Sequence, residues 1–191
     1  RNIKIAKKMQ DMHDIIYQKF ELSKPLRNMN IDPNSILIHC AWGSSRDVHS
    51  EKHIDSVIPQ HYQFIKKMVG KGVRKVIVTG TCSEFGMTCG PVKAYDETNP
   101  CTSYGSGKDF LHKSLRFLEN DADFELVWLR LFNIYGESLD KNTVTSLFNK
   151  AINGGATEFP MSLGNQTFDY LLTDDVGKKI VKSLNKGSGI Y

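Results

Sequence analysis

The sequence predicts an α/β fold: a doubly wound parallel sheet with helices on both faces and a small C-terminal lobe. Three observations predict it. Residues 35–42 (SILIHCAW), 75–79 (KVIVT) and 125–132 (ELVWLRLF) are short apolar runs of the kind that fill a parallel sheet covered on both faces. The stretches between them carry apolar residues at helical spacing. Strand, helix and strand in this order form a parallel crossover unit, which is right-handed almost without exception.

The chain up to Met12 is basic and weakly amphipathic, and its pattern assigns it to no element. Residues 14–22 (DIIYQKFEL) have strand-like content, and the polar SKPLRNMNIDPN that follows, with Pro25 and Pro33, has room for one short helix. Residues 43–53 are polar and loop-like. From Ile54 the positions Ile54, Val57, Ile58, Tyr62, Ile65, Met68 and Val69 recur at helical spacing until Gly70 and Gly72 end the pattern. Pro59 falls six positions into that helix, where it is expected to remove a hydrogen bond or bend the axis.

Residues 87–103 form a loop rich in Gly, Pro and Thr, and 104–118 a helix whose stripe carries Tyr104, Lys108, Leu111, Leu115 and Leu118. Beyond Asn133, NIYGESLD reads as a turn-rich loop, 143–153 as a short amphipathic helix and 154–164 as a loop. A short strand at 169–173 leads into a helix at 174–184, which turns Val176, Ile180, Val181 and Leu184 inward and is capped by Asp174 and Asp175. These last elements are too small to fold alone. Residues 1–132 therefore read as the sheet domain and 133–191 as a lobe continuous with it.

With 40% hydrophobic and 24% charged residues, the 191-residue chain has the balance of a soluble globular protein. Its net charge of +4 is spread out, with no basic run of the kind that binds nucleic acid. No apolar run approaches the ~18 residues of a membrane span. Cys40, Cys82, Cys89 and Cys101 form no CxxC pair, which reads as free thiols in a reducing, cytoplasmic setting. The histidines show no HExxH spacing and imply no metal.

Chemistry concentrates between Val78 and Lys108. Thr81 and Ser83 end a strand, and Tyr104 and Lys108, four residues apart, share one helix face. A lysine charge beside a tyrosine favours the phenolate, so a side chain with an ordinary pKa of about 10 is expected to act as acid or base nearer neutrality. Glu84, in the following loop, reads as a solvated carboxylate, and Cys82 as a packing residue.

Five segments in order, ILIHCAWGSSRD, GVRKVIVTGTCSEFG, ETNPCTSYGSGK, LVWLRLFNIYG and GNQTFDYLLTDDVGKKIVKSL, resemble the extended short-chain dehydrogenase/reductases, the NAD-dependent epimerase/dehydratase family. These enzymes carry a Rossmann-like sheet and epimerise, dehydrate or reduce nucleotide-linked sugars. The resemblance implies NAD or NADP as cofactor, a nucleotide-sugar substrate, a homodimer, and a substrate-binding role for the C-terminal lobe. By position, it implies that Thr81 hydrogen-bonds the reacting sugar oxygen, that Tyr104 is the acid/base, and that Lys108 binds the nicotinamide ribose and lowers the tyrosine pKa. It places His39, Ala41 and Trp42 along the cofactor, Glu21 near the adenine, and Ser83 and Asn133 at the substrate.

Three departures shape the expected activity. The phosphate turn GxxGxxG is absent from the 191 residues, and Arg1 and Asn2 resemble residues just after the family's second strand. The first strand–helix–strand unit, roughly 30 to 40 residues, is therefore expected to precede the sequence given. Cys82 and Ser83 follow Thr81 where the sugar dehydratases carry an Asp-Glu pair, which disfavours dehydration. Phe168 stands where many relatives have an arginine that grips the diphosphate, and an aromatic ring can stack or pack there but cannot pair with phosphate. The activity expected is reduction of a 4-keto sugar or 4-epimerisation, with a non-catalytic dinucleotide- or sugar-nucleotide-binding protein of the same fold, or a dehydratase, as the alternatives.

Overall fold

The apolar runs pair with one another. In the computed structural model, which describes residues 16, 18, 20–22, 31–43, 47–136 and 143–191, four parallel strands form one sheet in the order β1 (Ile36–His39), β2 (Lys75–Thr81), β3 (Glu125–Leu131) and β6 (Gly189–Ile190). The register sets Ile38 beside Ile77, Val78 beside Trp128 and Thr81 beside Leu131. Val76, Ile77, Val78, Leu126, Val127 and Trp128 are fully buried. Each aliphatic side chain among them contributes about 1.5–3 kcal/mol through burial.

Alternation along β3 sends Trp128 to one face and Val127 and Leu129 to the other. Helix α1 (Ile58–Gly70) and helix α2 (Ser103–Asp121) pack against each other, and α2 lays His112 against the Trp128 ring at 4.8 Å. On the opposite face Ile180 and Leu184 pack on Ile77, Val127 and Leu129. Ile180 belongs to helix α4 (Thr173–Lys182). In chain order between β3 and α4 come a helix, α3 (Val144–Asn153), and the two strands of a small parallel sheet, β4 (Asn133–Tyr135) and β5 (Tyr170–Leu172).

Several expectations need correction. Strand β1 is not covered on both faces: Ile36 and Ile38, which share one face of the strand, are 44% and 41% exposed, and β1 is the edge strand of the sheet among the described residues. At Pro59 the helix does depart from α geometry: a π-type turn at His53–Val57 runs directly into α1, with Val57 and Ile58 in helical conformation and the Ile58 amide bonded to the His53 carbonyl, so the proline falls within a continuous helix as expected. NIYGESLD opens with strand β4 rather than a loop, because Asn133, Ile134 and Tyr135 find β5 as a partner.

Helix α4 buries Val176 but leaves Val181 59% exposed. Asp174 and Asp175 lie inside its first turn, where the helix dipole favours them, and the N-cap position is Leu172.

The chain divides into two units, Arg1–Asn30 and Ile31–Tyr191. The expected boundary at Asn133 falls inside the second, where β6 pairs with β3. In the first unit, the described residues of 14–22, namely Ile16, Gln18, Phe20, Glu21 and Leu22, lie in no strand. Ile16 is 90% exposed, and polar Gln18 and Glu21 interrupt the apolar run a buried strand needs. Arg1, Asn2, the basic stretch to Met12 and the SKPLRNMN segment lie outside the described residues.

Candidate active site

Strand β2 ends on Thr81, whose side chain is turned into a short 3-10 turn, Cys82–Glu84. A reciprocal capping box fixes this turn. Thr81 Oγ1 accepts a hydrogen bond from the Ser83 amide at 3.3 Å, and the Glu84 carboxylate accepts one from the Thr81 amide at 2.8 Å. Thr81 Oγ1 also donates to Ser83 Oγ at 3.3 Å.

Helix α2 presents Tyr104 to this turn. Thr102 caps the helix by accepting from the Gly105 amide at 3.0 Å, and the Tyr104 amide donates to the Val48 carbonyl at 2.9 Å. Gly105 makes the close approach possible: a Cβ there would stand 2.4 Å from the Ser83 carbonyl oxygen. Burial pushes the Tyr104 phenol above its ordinary value, the nearby Thr81 hydroxyl pulls against it, and Cys82 and Glu84 act in the same direction as burial.

Lys108, one turn along, is 3% exposed. Its ammonium donates to the Thr79 carbonyl at 2.6 Å and lies 4.3 Å from the Trp42 ring centroid. Burial lowers its pKa to about 8, with Glu84 and Cys40 holding it up. The Tyr104 phenol thus stands above its ordinary value rather than below it, while the Lys108 ammonium is turned toward β2 and Trp42.

Around Trp42 the structure gathers histidines. His39 Nε2 and His61 Nδ1 share a hydrogen bond of 2.6 Å, and burial lowers these pKa values to about 3 and about 4. The Trp42 indole donates to His53 Nδ1 at 3.2 Å, so His53 carries its proton on Nε2 and donates it to the Asp47 carbonyl at 2.9 Å. The His53 ring lies edge-on to Tyr104, with centroids 5.5 Å apart. Sequence reasoning missed His53, whose neighbours in the chain mark it only as the end of a polar loop.

Thr81, Ser83, Tyr104, Lys108 and Trp42 thus converge at the carboxyl end of the parallel strands, the edge where open α/β sheets hold ligands. Ala41 is exposed just past β1, while His39 is buried and committed to His61. Asn133 begins β4, half-buried, and its side-chain amide donates to the Asp169 carbonyl at 3.4 Å. Glu21 is exposed and lies in the Arg1–Asn30 unit. Phe168 is 54% exposed, with its ring 6.2 Å from that of Tyr170. Cys82 is half-buried, which raises its thiol pKa, and all four cysteines are unpaired.

Glu84 is not a solvated loop carboxylate. It is fully buried and accepts from Arg130 Nε at 2.8 Å and from the Trp128 indole at 3.1 Å. The local signal was the Thr81-x-x-Glu84 spacing of a capping box. Ligand atoms of Glu84, Asp109 and His112 lie within 4.8 Å of one another, but the donors already on Glu84 and the adjoining Arg130 charge oppose a cation there. No helix among the described residues is long and apolar enough to cross a membrane.

The family model described as the NAD dependent epimerase/dehydratase family matches residues 29–191. The chain belongs to this family. It is 29% identical over 174 residues to the dTDP-6-deoxy-L-talose 4-dehydrogenase (NAD(+)) of Aggregatibacter actinomycetemcomitans, covering 90% of this chain and 64% of that one. It is 29% identical over 126 residues to the UDP-glucose 4-epimerase of Mycolicibacterium smegmatis, covering 62% and 39% of the two chains. The chain therefore spans less than two thirds of the length of either relative. In fold it resembles the UDP-glucose 4-epimerase of Thermotoga maritima, with a TM-score of 0.67 at 20% identity over 78% of this chain and 52% of that one.

Proposed function

We propose that the full-length protein is a nicotinamide-dependent oxidoreductase or epimerase acting at C4 of a nucleotide-activated sugar. The observation that carries this reading is the packing of the helix start that bears Tyr104 against the Thr81–Glu84 turn at the end of β2, where Gly105 meets the Ser83 carbonyl, with Lys108 one helical turn away. Tyr104 Oη exchanges a proton with the C4 oxygen, and Thr81 Oγ1 holds that same oxygen. Ser83 and Asn133 contact the sugar nucleotide, and the exposed Phe168 ring offers stacking rather than charge.

NAD or NADP, when bound, supplies the hydride acceptor or donor. The residues at this edge fit its nicotinamide end. The Lys108 ammonium uses one N–H on Thr79 and keeps others for ribose hydroxyls, and Ala41 and Trp42 follow β1 beside it. His39 contributes through its backbone, since its ring is held by His61. The segment of His39, Ala41 and Trp42 is assigned to the course of the pyrophosphate and ribose, although the 191 residues contain no GxxGxxG.

A buried phenol above its usual pKa keeps its proton at neutral pH and is suited to protonate the C4 oxygen of a ketone as it is reduced. Reduction of a 4-keto sugar and 4-epimerisation through such a ketone share this step. Dehydration lacks its acid: Cys82 and Ser83 follow Thr81, and Glu84 is tied to Arg130. Phe110 and Phe117, 59% and 72% exposed and two turns apart on α2, support a homodimer formed through that helix. The unpaired cysteines support a reducing, cytoplasmic location.

The test is to mix the full-length protein with a nucleotide-linked 4-keto-6-deoxyhexose and NADH or NADPH, alongside a nucleotide hexose and NAD. Loss of reduced nicotinamide with formation of the 4-hydroxy sugar, or interconversion of the 4-epimers, is expected. Tight dinucleotide binding without turnover of any nucleotide sugar would instead make the protein a binding member of the fold.

A further inference from the structure

Glu84 is the most deeply buried carboxylate among the described residues, and everything around it is built to meet it. Its Oε1 accepts from the Thr81 amide at 2.8 Å and from the Trp128 indole at 3.1 Å, and its Oε2 accepts from the same indole and from Arg130 Nε at 2.8 Å. Gly80 makes room for it: a Cβ there would stand 2.3 Å from Trp128 Nε1 and 2.6 Å from Glu84 Oε1. Arg130 extends the arrangement by donating Nη1 to the Ala94 carbonyl at 2.6 Å and stacking its guanidinium 4.7 Å from the Phe85 ring centroid. One carboxylate therefore joins the end of β2, the neighbouring strand β3 and the loop that precedes α2.

A buried ion pair is a poor source of stability, because desolvating both charges offsets most of their attraction, and an apolar pair of similar volume commonly does as well. What the carboxylate supplies that an apolar side chain cannot is an acceptor for the Thr81 amide, at a fixed height above the sheet. The amide and the hydroxyl of Thr81 belong to one capping box, so fixing the first orients the second. All of the donors require an acceptor, which keeps Glu84 ionised within the network even though burial pushes its carboxyl up.

We propose that Glu84 is a positioning residue for Thr81: through the Thr81 amide, and braced by Trp128 and Arg130, it sets the direction in which Thr81 Oγ1 points toward Tyr104 and the sugar oxygen. This rests on the catalytic reading of Thr81 given above. A group that acts only through Thr81 has a signature in a double-mutant cycle that a general core residue lacks.

The experiment uses the full-length protein as wild type, Glu84→Gln, Thr81→Ala and the combination. Glu84→Gln is expected to lower kcat by about 10- to 100-fold, the scale of a misdirected catalytic contact, with KM for the dinucleotide unchanged. In the Thr81→Ala background it is expected to lower kcat no further. Equal fold losses in both backgrounds overturn the proposal and leave Glu84 a core residue. If Glu84→Gln does not fold, the neutral pair Glu84→Met/Arg130→Met replaces it in the same cycle, without an orphaned charge. If the wild type turns over no nucleotide sugar, the catalytic reading fails, and the positioning is then read from amide exchange. Protection of the Thr81 amide in the wild type and its loss in the Glu84 variant supports the tether; equal exchange in both overturns it.

Discussion

The Lys108 ammonium donates to the Thr79 carbonyl of β2 at 2.6 Å. Burial holds its pKa at about 8 in the folded protein, against 10.5 for an ordinary lysine. Between these values the unfolded chain binds more protons, so stability rises with pH from about 8 to about 10.5, and the cost of burying the charge is present in full below pH 8. Urea unfolding is expected to show the wild type gaining on Lys108→Met across this window, by at most about 1.4 kcal/mol per pH unit. A constant difference between the two would contradict the burial of a charged ammonium.

Three buried imidazoles act at the other end of the scale. His39 titrates at about 3, and His61 and His112 at about 4, all pushed down from 6.5 chiefly by burial. Here too the unfolded state binds more protons, so stability is lost as pH falls below 6.5 toward 4. At pH 5.5 each group is expected to withdraw about 1.4 kcal/mol, with His39 and His61 coupled through their shared bond. His112→Phe, which keeps an aromatic ring against Trp128, should flatten the acid limb of a thermal-melting profile by one group's share; an unchanged limb would count against a neutral His112.

At Gly105 the requirement is steric. Gly105→Ala is expected to push α2 off the Cys82–Glu84 turn, since its Cβ would meet the Ser83 carbonyl at 2.4 Å. The cost in unfolding free energy is expected to be about 1–3 kcal/mol, with a larger proportional loss of turnover, because the displaced helix carries Tyr104. Retained activity in a destabilised variant would show that the helix start can shift without cost to the site.

For the proposed dimer, Phe110→Ser/Phe117→Ser replaces the exposed pair on α2. Sedimentation of the full-length protein is expected to move from dimer to monomer. A dimer that persists would place the interface elsewhere.

Strands β2 and β3 were legible because residues 75–79 and 125–132 read as apolar runs, and Val76–Val78 and Leu126–Leu129 are buried in fact as they read in sequence. Strands β4 and β6, of three and two residues, are too short to show a period, and only their partners define them. Tyr104 and Lys108 were readable from helical spacing. Lys108's partners were not, since Thr79 is 29 residues away in the chain. Glu84 was misread for the same reason: a charged residue in a turn reads as solvated, and its partner Arg130 lies 46 residues on. Buried polar networks are set by long-range pairing, which local pattern does not carry.

The measurement that bears most directly on the proposed chemistry is the pre-steady-state rate of nicotinamide oxidation by the full-length protein with a nucleotide-linked 4-keto sugar, comparing wild type with Tyr104→Phe. Loss of the proton donor is expected to slow the step by at least about 100-fold while the dinucleotide still binds. Equal rates in the two proteins would contradict Tyr104 as the acid.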